Sequence, residues 1–347
     1  MKLTAYPHEM SLANPWKIAS SKGSATHRTV IVELTDADGV QAVGEAAPSS
    51  LYGESADGLL KFLGGLDVGK ISFADVPGSM NYLESLPDVP VSAQCALNLA
   101  LLDGAAKRAG QALYDYLGLG FREQHHVTSF SIGIDAPDII RRKVEDAALY
   151  PVIKLKVGDP RDRENFAALR AVAPAKPVRV DANEGWKTRE EALRMIEWLM
   201  ATDKHLQFIE QPMPRTASDA DLKWLKARSP LPIFADESCH TVVDIPRCAE
   251  CFNGVNVKLV KTGGVSMAFE TLKAARQAGL QTMIGCMIET SVLISAAAHL
   301  AELADYLDVD GNLLTTNDPF AGVTAERGIL SFAGVKEKRG LRVSPRG

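Results

Sequence analysis

The sequence predicts an α/β fold: a parallel (β/α) barrel of the TIM type, with a smaller α+β domain beside it. Two observations carry this. First, residues 128–310 repeat one pattern, a short apolar run ending on a polar residue or glycine, then a helical stretch. The run-ending positions are Ser131, Lys156, Asp181, Glu210, Asp236, Lys258, Gly285 and Asp310, spaced 25, 25, 29, 26, 22, 27 and 25 residues apart. A strand of ~5 residues, a helix of ~12 and two short loops add up to that period. Eight units in a row indicate eight parallel strands closed as (β/α)₈, with the chemistry at their C-terminal ends. Second, residues 1–122 lack the period and read as antiparallel strands followed by helices.

Residues 29–34 and 40–44 flank Asp36-Ala37-Asp38-Gly39, a hairpin turn signal. Residues 2–7 give a further strand, and 47–55 are a loop by composition. Over 91–108, Cys95, Leu99, Leu102 and Ala106 recur at helical spacing. From Thr128 strands and helices alternate, with helices expected over 161–172, 188–199, 267–278 and 291–304. After Asp310, Gly, Asn, Asp and Pro take over. Residues 328–332 and 341–343 are short strand candidates, too few for another βα unit. The expected division is an α+β domain over 1–122, a barrel over 123–315 and a segment over 316–347 that returns to the first domain.

Composition excludes several classes. Of 347 residues, 46% are apolar, enough for a large core. The net charge of −5 and the lack of a basic block argue against nucleic acid. No apolar run approaches the ~18 residues of a membrane span. Residues 1–10 hold no apolar core of a secretory signal. Five cysteines, an odd number, point to reduced thiols and a cytoplasmic setting. Cys248 and Cys251 have CxxC spacing, but no second pair or zinc-spaced His follows; a helix after Pro246 accounts for them. The sequence leaves a homo-oligomer open.

Asp181, Glu210 and Asp236 end the third, fourth and fifth barrel strands. Strands lie ~4.8 Å apart, so three carboxylates there would repel. A divalent cation relieves this. All-oxygen ligation points to one Mg²⁺ per subunit, with Mn²⁺ as the other candidate. Lys156 and Lys258 end the second and sixth strands, across the barrel from each other and flanking the metal strands. Lysine is a poor base at its usual pKa of ~10.4. The metal and a second ammonium, Lys154 on the same strand face, would lower it. Lys107 and Lys261 read as solvated surface lysines. Two lysines on opposite faces of a metal-held carboxylate suggest 1,1-proton transfer. One removes the α-proton, the metal stabilises the enediolate, and the other returns a proton to the opposite face.

At these residues the sequence resembles the enolase superfamily, in its muconate-lactonizing-enzyme subgroup. The motifs are Lys154-Leu155-Lys156, Val180-Asp181-Ala182-Asn183, Ile209-Glu210-Gln211-Pro212, Ala235-Asp236-Glu237-Ser238 and Lys258-Leu259-Val260-Lys261-Thr262-Gly263-Gly264. The resemblance implies a (β/α)₇β barrel with a capping domain formed by the N-terminal region and the C-terminal tail. Gly44-Glu45-Ala46-Ala47-Pro48 and Tyr52-Gly53-Glu54-Ser55 match its active-site loop. Asp308-Val309-Asp310 resembles the Asp-x-Asp motif of dipeptide epimerases, a pair of anions for the free ammonium of a dipeptide. The resemblance also implies substrate contacts by Cys286, Met287, Tyr52 and Ser131. Lys22, in the loop after the first strand, meets an acidic second side chain or is merely solvated. The expected activity is Mg²⁺-dependent epimerisation of L-Ala-D/L-Glu or a related L-Ala-L-Xaa. o-Succinylbenzoate synthase, N-acylamino-acid racemase and muconate cycloisomerase share the lysines and metal ligands. None of their substrates presents a free ammonium. A catalytically dead carboxylate-binding barrel is the non-enzymatic alternative.

Overall fold

A computed structural model describes residues 1–21 and 23–346. The chain opens with an antiparallel sheet of β1 (Lys2–Trp16), β2 (Ser24–Thr35) and β3 (Gln41–Ala46), in that order. The Asp36 carboxylate accepts from Asp38 N and Val40 N at 3.0 and 2.9 Å, which shapes the expected hairpin turn. Strand β1 runs well past residue 7, because its pairing with β2 continues to Trp16 opposite Ser24. Three helices follow: α1 (Ala56–Gly64), α2 (Val76–Glu84) and α3 (Val91–Arg108).

Helix α3 is buried on nearly every side and lies across β3. Gly44 permits this, since a Cβ there would sit 1.9 Å from the Ala96 carbonyl oxygen. Asp103, buried within α3, accepts from Val43 N (2.9 Å), Leu341 N (2.7 Å) and Lys107 Nζ (2.7 Å). Lys107 is therefore not the solvated lysine expected from sequence. It folds over Asp103 because a buried carboxylate requires a counter-charge.

Helix α4 (Leu113–Tyr116) leads into the barrel. Its strands are β4 (Phe130–Ile132), β5 (Ile153–Lys156), β6 (Val178–Asp181), β7 (Leu206–Glu210), β8 (Ile233–Ala235), β9 (Gly254–Lys258), β10 (Gln281–Gly285) and β11 (Tyr306–Asp308). All pair in parallel in sequence order, and a parallel bridge between Thr128 and Leu307 joins the first to the last. The crossovers are α5 (Pro137–Asp146), α6 (Asp162–Val172), α7 (Arg189–Thr202), α8 (Asp219–Lys226), α9 (Ile245–Cys251), the short α10 (Leu259–Thr262) with α11 (Val265–Gln277), and α12 (Ser291–Ala298). Only a 3₁₀ turn over Gly311–Leu314 follows β11. The barrel is thus (β/α)₇β rather than the eight full units that the period alone predicts. Helix α12 is shorter than expected, with a separate 3₁₀ turn over Ala301–Leu303. Cys248 and Cys251 are buried in α9, as the helix reading requires.

The tail forms β12 (Phe320–Ala321), β13 (Thr324–Glu326), β14 (Ile329–Ser331) and β15 (Ser344–Pro345). Residues 341–343 are not a strand. Leu341 N is spent on Asp103 and Arg342 has φ +56°, so pairing with β12 begins only at Ser344. Among the described residues, no helix is long and apolar enough to cross a membrane.

Two polar contacts lock the N-terminal sheet and helices to the barrel. Glu45 is fully buried and accepts from Thr29 Oγ1 (2.9 Å), Thr290 N (2.9 Å), Thr290 Oγ1 (2.6 Å) and Leu293 N (3.2 Å). It thereby satisfies free N–H groups at the start of α12, where a negative charge is favoured. Asn98 of α3 bonds both Ser266 Oγ (2.9 Å) and Ser266 N (3.1 Å) at the start of α11.

His299 lies where α4, the end of α12 and the tail meet. Its Nδ1 accepts from Tyr114 N at 3.1 Å, and its ring stacks on Phe332 at 4.8 Å. Burial pushes its pKa down to about 3. The unfolded chain binds a proton near pH 6.5 that the folded chain refuses, so stability falls as pH drops from 6.5 towards 3. The loss approaches about 1.4 kcal/mol per pH unit. Urea unfolding at pH 7.5 and 5.5 should show a drop smaller by roughly that amount in His299→Phe than in the wild type.

Candidate active site

Strand register assembles the site. Lys156 lies directly opposite Asp181, and Asp181 opposite Glu210. Across the barrel, Lys258 lies opposite Gly285, and Gly285 opposite Asp308. Asp236 is the first residue after β8. Each polar residue thus stands at or just beyond the C-terminal end of its strand, on one rim.

The rim is a buried charge cluster. Lys154 Nζ lies 3.1 Å from Asp181, 2.7 Å from Glu210 and 2.6 Å from Asp308. Lys156 reaches Asp181 at 2.6 Å, and Lys258 reaches Asp236 at 2.8 Å. Lys261, expected as a solvated lysine, is also buried. It donates to Asp236 Oδ1 at 2.6 Å and to the Asp236 carbonyl oxygen. No local pattern marks this, because it is the short helix α10 that turns Lys261 back onto Asp236.

Charge partners set the protonation of the cluster. Burial opposes the charge on Lys154, yet Asp308, Glu210 and Asp181 hold it well above the usual lysine range. Burial likewise opposes Asp236, but Lys258 and Lys261 hold its carboxyl well below the usual range. Asp308 is held low in the same way by Lys154 and Lys156. Three acids go the other way. Burial and Asp181 push Glu210 up to about 7, burial and Asp236 push Glu237 up to about 8, and burial and Asp308 push Asp310 up to about 7.

Six buried carboxylates (Asp181, Glu210, Asp236, Glu237, Asp308, Asp310) thus face four buried lysines. The acids outnumber the lysines, which leaves negative potential that a divalent cation would relieve. Asp181, Glu210 and Asp236 each offer an oxygen, all within 4.8 Å of one another. Among the described residues, the Lys154 ammonium at 2.7 Å is what meets Glu210 Oε2, with no other donor on it. Three carboxylate oxygens this close, with few donors on them, are a donor set that suits a hard cation. Asn256 orients this carboxylate by donating to Glu210 Oε1 at 2.8 Å. Gly285 makes the room, since a Cβ there would meet Asn256 Oδ1 at 2.5 Å.

Above the cluster opens a cavity of about 590 Å³. Lys156, Lys258, Asp236, Asp308, Asp310, Cys286, Met287, Tyr52 and Ser131 all line it. Lys154, Asp181 and Glu210 lie buried beneath. Lys22 falls outside the described residues. The two acids of the Asp-x-Asp motif are not equivalent. Asp308 is paired with Lys154 and accepts from Ser129 Oγ at 2.7 Å. Asp310 accepts from Ser131 N at 2.6 Å and from the Cys286 thiol at 3.8 Å, with no ion-pair partner among the described residues. Sequence reasoning also missed Trp16, whose ring lies 6.0 Å from Lys156 Nζ. A long strand pairing brings it over the rim, and no motif marks it.

Residues 2–118 match the mandelate racemase / muconate lactonizing enzyme N-terminal domain, and residues 139–316 match the family described as enolase C-terminal domain-like. The chain is 62% identical over 345 residues to an L-Ala-D/L-amino acid epimerase from Pedosphaera parvula, covering 99% of each chain. Its structure resembles a substrate-liganded complex of the L-Ala-D/L-Glu epimerase from Bacillus subtilis, with TM-score 0.92 and 27% identity over 100% of this chain and 99% of that one. It also resembles a dipeptide epimerase from Enterococcus faecalis complexed with Mg and L-Leu-L-Tyr, with TM-score 0.89 and 26% identity over 99% and 98% of the two chains. Lysine-bearing strands, an acidic triad and a separate N-terminal sheet on one (β/α)₇β frame agree with both domain matches, and the chain belongs to the mandelate racemase / muconate lactonizing enzyme family of the enolase superfamily.

Proposed function

We propose that this protein is a Mg²⁺-dependent dipeptide epimerase that inverts the α-carbon of the second residue of L-Ala-D/L-Glu or a related L-Ala-L-Xaa. The observation that carries the reading is the placement of Lys156 and Lys258 on opposite sides of the acidic triad, with Asp310 on the same cavity. Asp181, Glu210 and Asp236 would hold the metal. When bound, the metal supplies positive charge that stabilises the substrate carboxylate as its α-proton leaves. The 62% identical epimerase and the Mg complex of the structural relative support this ion and this substrate class.

The residues divide the work. One of Lys156 and Lys258, in its neutral form, takes the α-proton from the face it fronts. The other, as an ammonium, gives a proton to the opposite face, and the direction reverses for the other epimer. Lys154 stays charged between three carboxylates and adds fixed positive potential below the substrate carboxylate. Asp310 takes the substrate's ammonium. Burial and Asp308 push its carboxyl up to about 7, and an ammonium beside it favours the ionised form. Asp308, already paired with Lys154, sets the negative potential around that ammonium. An N-acylated substrate has no charge to offer there, which disfavours N-acylamino-acid racemisation.

Exhaustive EDTA treatment should abolish epimerisation, and Mg²⁺ or Mn²⁺ should restore it. Asp236→Asn should weaken Mn²⁺ binding in a direct titration. Full activity of the stripped enzyme would refute the metal role. Asp310→Asn should lower kcat/KM about 10–100-fold on free dipeptides, the worth of one charged hydrogen bond, and far less on N-acetylated ones. Equal losses on both would make Asp310 structural. Lys156→Ala and Lys258→Ala should each cost ~10² or more in epimerisation. Each should retain α-proton exchange with D₂O for one epimer only, and for opposite epimers. A Lys258→Ala variant that epimerises nearly as fast as the wild type would replace two bases by one mobile base.

A further inference from the structure

Beside the triad, the cavity wall holds two buried oxygens with no partner among the described residues. Asn183 is 3% exposed and Glu237 is 5% exposed, and both line the cavity. Asn183 Nδ2 donates to Glu237 Oε1 at 3.3 Å. Among the described residues, Asn183 Oδ1 and Glu237 Oε2 remain without partners. A buried acceptor without a donor costs ~1–3 kcal/mol, and two side by side point to a donor-bearing ligand. The nearby lysines point their bonds elsewhere: Lys156 donates to Asp181, and Lys258 and Lys261 donate to Asp236.

The backbone ties both residues to the triad. Asn183 N donates to Asp181 Oδ1 at 2.9 Å, and Glu237 directly follows Asp236. The pair therefore spans two of the three strand ends that carry the triad. Asn183 holds φ +42° and Glu184 φ +64°, left-handed conformations that are uncommon outside glycine. Asparagine tolerates that region better than most residues.

We infer that Asn183 and Glu237 form an outer acceptor pair for a hydrated divalent cation, taking hydrogen bonds from the water molecules on it. This rests on the metal-dependent reading proposed above. Mg²⁺ gives up its waters reluctantly, and those waters are donors only. Two oxygen acceptors flanking the triad fit such a hydrated face. Partners of this outer kind typically govern metal affinity by ~10–100-fold.

Mn²⁺ titration followed by electron paramagnetic resonance tests the inference, with thermal unfolding of the metal-free proteins as the folding control. Glu237→Gln and Asn183→Gly should each raise the Mn²⁺ Kd by ~10–100-fold, and Asn183→Asp should stay close to the wild type. Glycine accepts the left-handed backbone but removes the acceptor. An Asn183→Gly variant that binds Mn²⁺ as tightly as the wild type would show that Asn183 only shapes a turn, and would overturn the inference. So would unchanged Mn²⁺ affinity in both variants with a raised KM for dipeptide, since the pair would then read substrate. A wild-type protein that binds no Mn²⁺ would overturn the metal reading itself, a separate and recognisable failure.

Discussion

Everything at the rim of this barrel depends on charge compensation out of contact with bulk water. Six carboxylates and four lysines are buried within one ring of strand ends. Desolvating each ion costs several kcal/mol, and well-packed apolar side chains would be as stable or more so. The lysines offset part of the cost by direct contact, Lys154 with three carboxylates and Asp236 with two lysines. What they leave uncompensated is what gives the site its capacity for a cation. The same surplus lifts Glu210, Glu237 and Asp310 towards neutral pH.

That cluster is held by supports reaching in from other strands. Arg179, next to the triad on β6, donates to the Leu307 carbonyl at 2.5 Å and to Ser129 Oγ at 3.3 Å. Ser129 in turn holds Asp308. Gln211, at φ +35°, uses its side-chain oxygen to accept from Asp236 N and Ser238 N at 2.9 and 3.1 Å. Below, Phe208, Phe234, Met283 and Tyr306 pack as an apolar plug. The polar layer therefore sits between a sealed floor and an open cavity, and its groups are fixed before any substrate arrives.

The N-terminal sheet and helices complete the cavity rather than merely cover it. Trp16 and Tyr52 come from there, and Glu45 fastens that region to α12 through Thr290 and Leu293. Burial and the hydroxyl and amide donors around Glu45 act in opposite directions, and burial prevails, so its carboxyl sits above the usual range. Glu289 is lifted to about 8 by burial and by Glu45. The charge cluster thus extends from the acidic triad to the seam with the N-terminal sheet.

The sequence by itself determined the strand ends. A period near 25 residues, apolar runs closed by Lys, Asp, Glu, Asp and Lys, and a side-chain alternation of two are local signals, and parallel pairing in chain order puts such positions on one rim. Lys156, Asp181, Glu210, Asp236 and Lys258 were legible for that reason. Tertiary structure alone decided the rest. Lys261 turned out buried and Lys107 half-buried because distant carboxylates, Asp236 and Asp103, took their charges. Asp308 and Asp310 are the same residue type two positions apart, but only Asp308 meets Lys154, since the strand ends between them. Residues 341–343 gave up strand pairing because Asp103, far back in the chain, claims an amide there. Periodicity records which way a side chain points. It does not record which long-range partner will reach it, and in a buried site that partner fixes the charge.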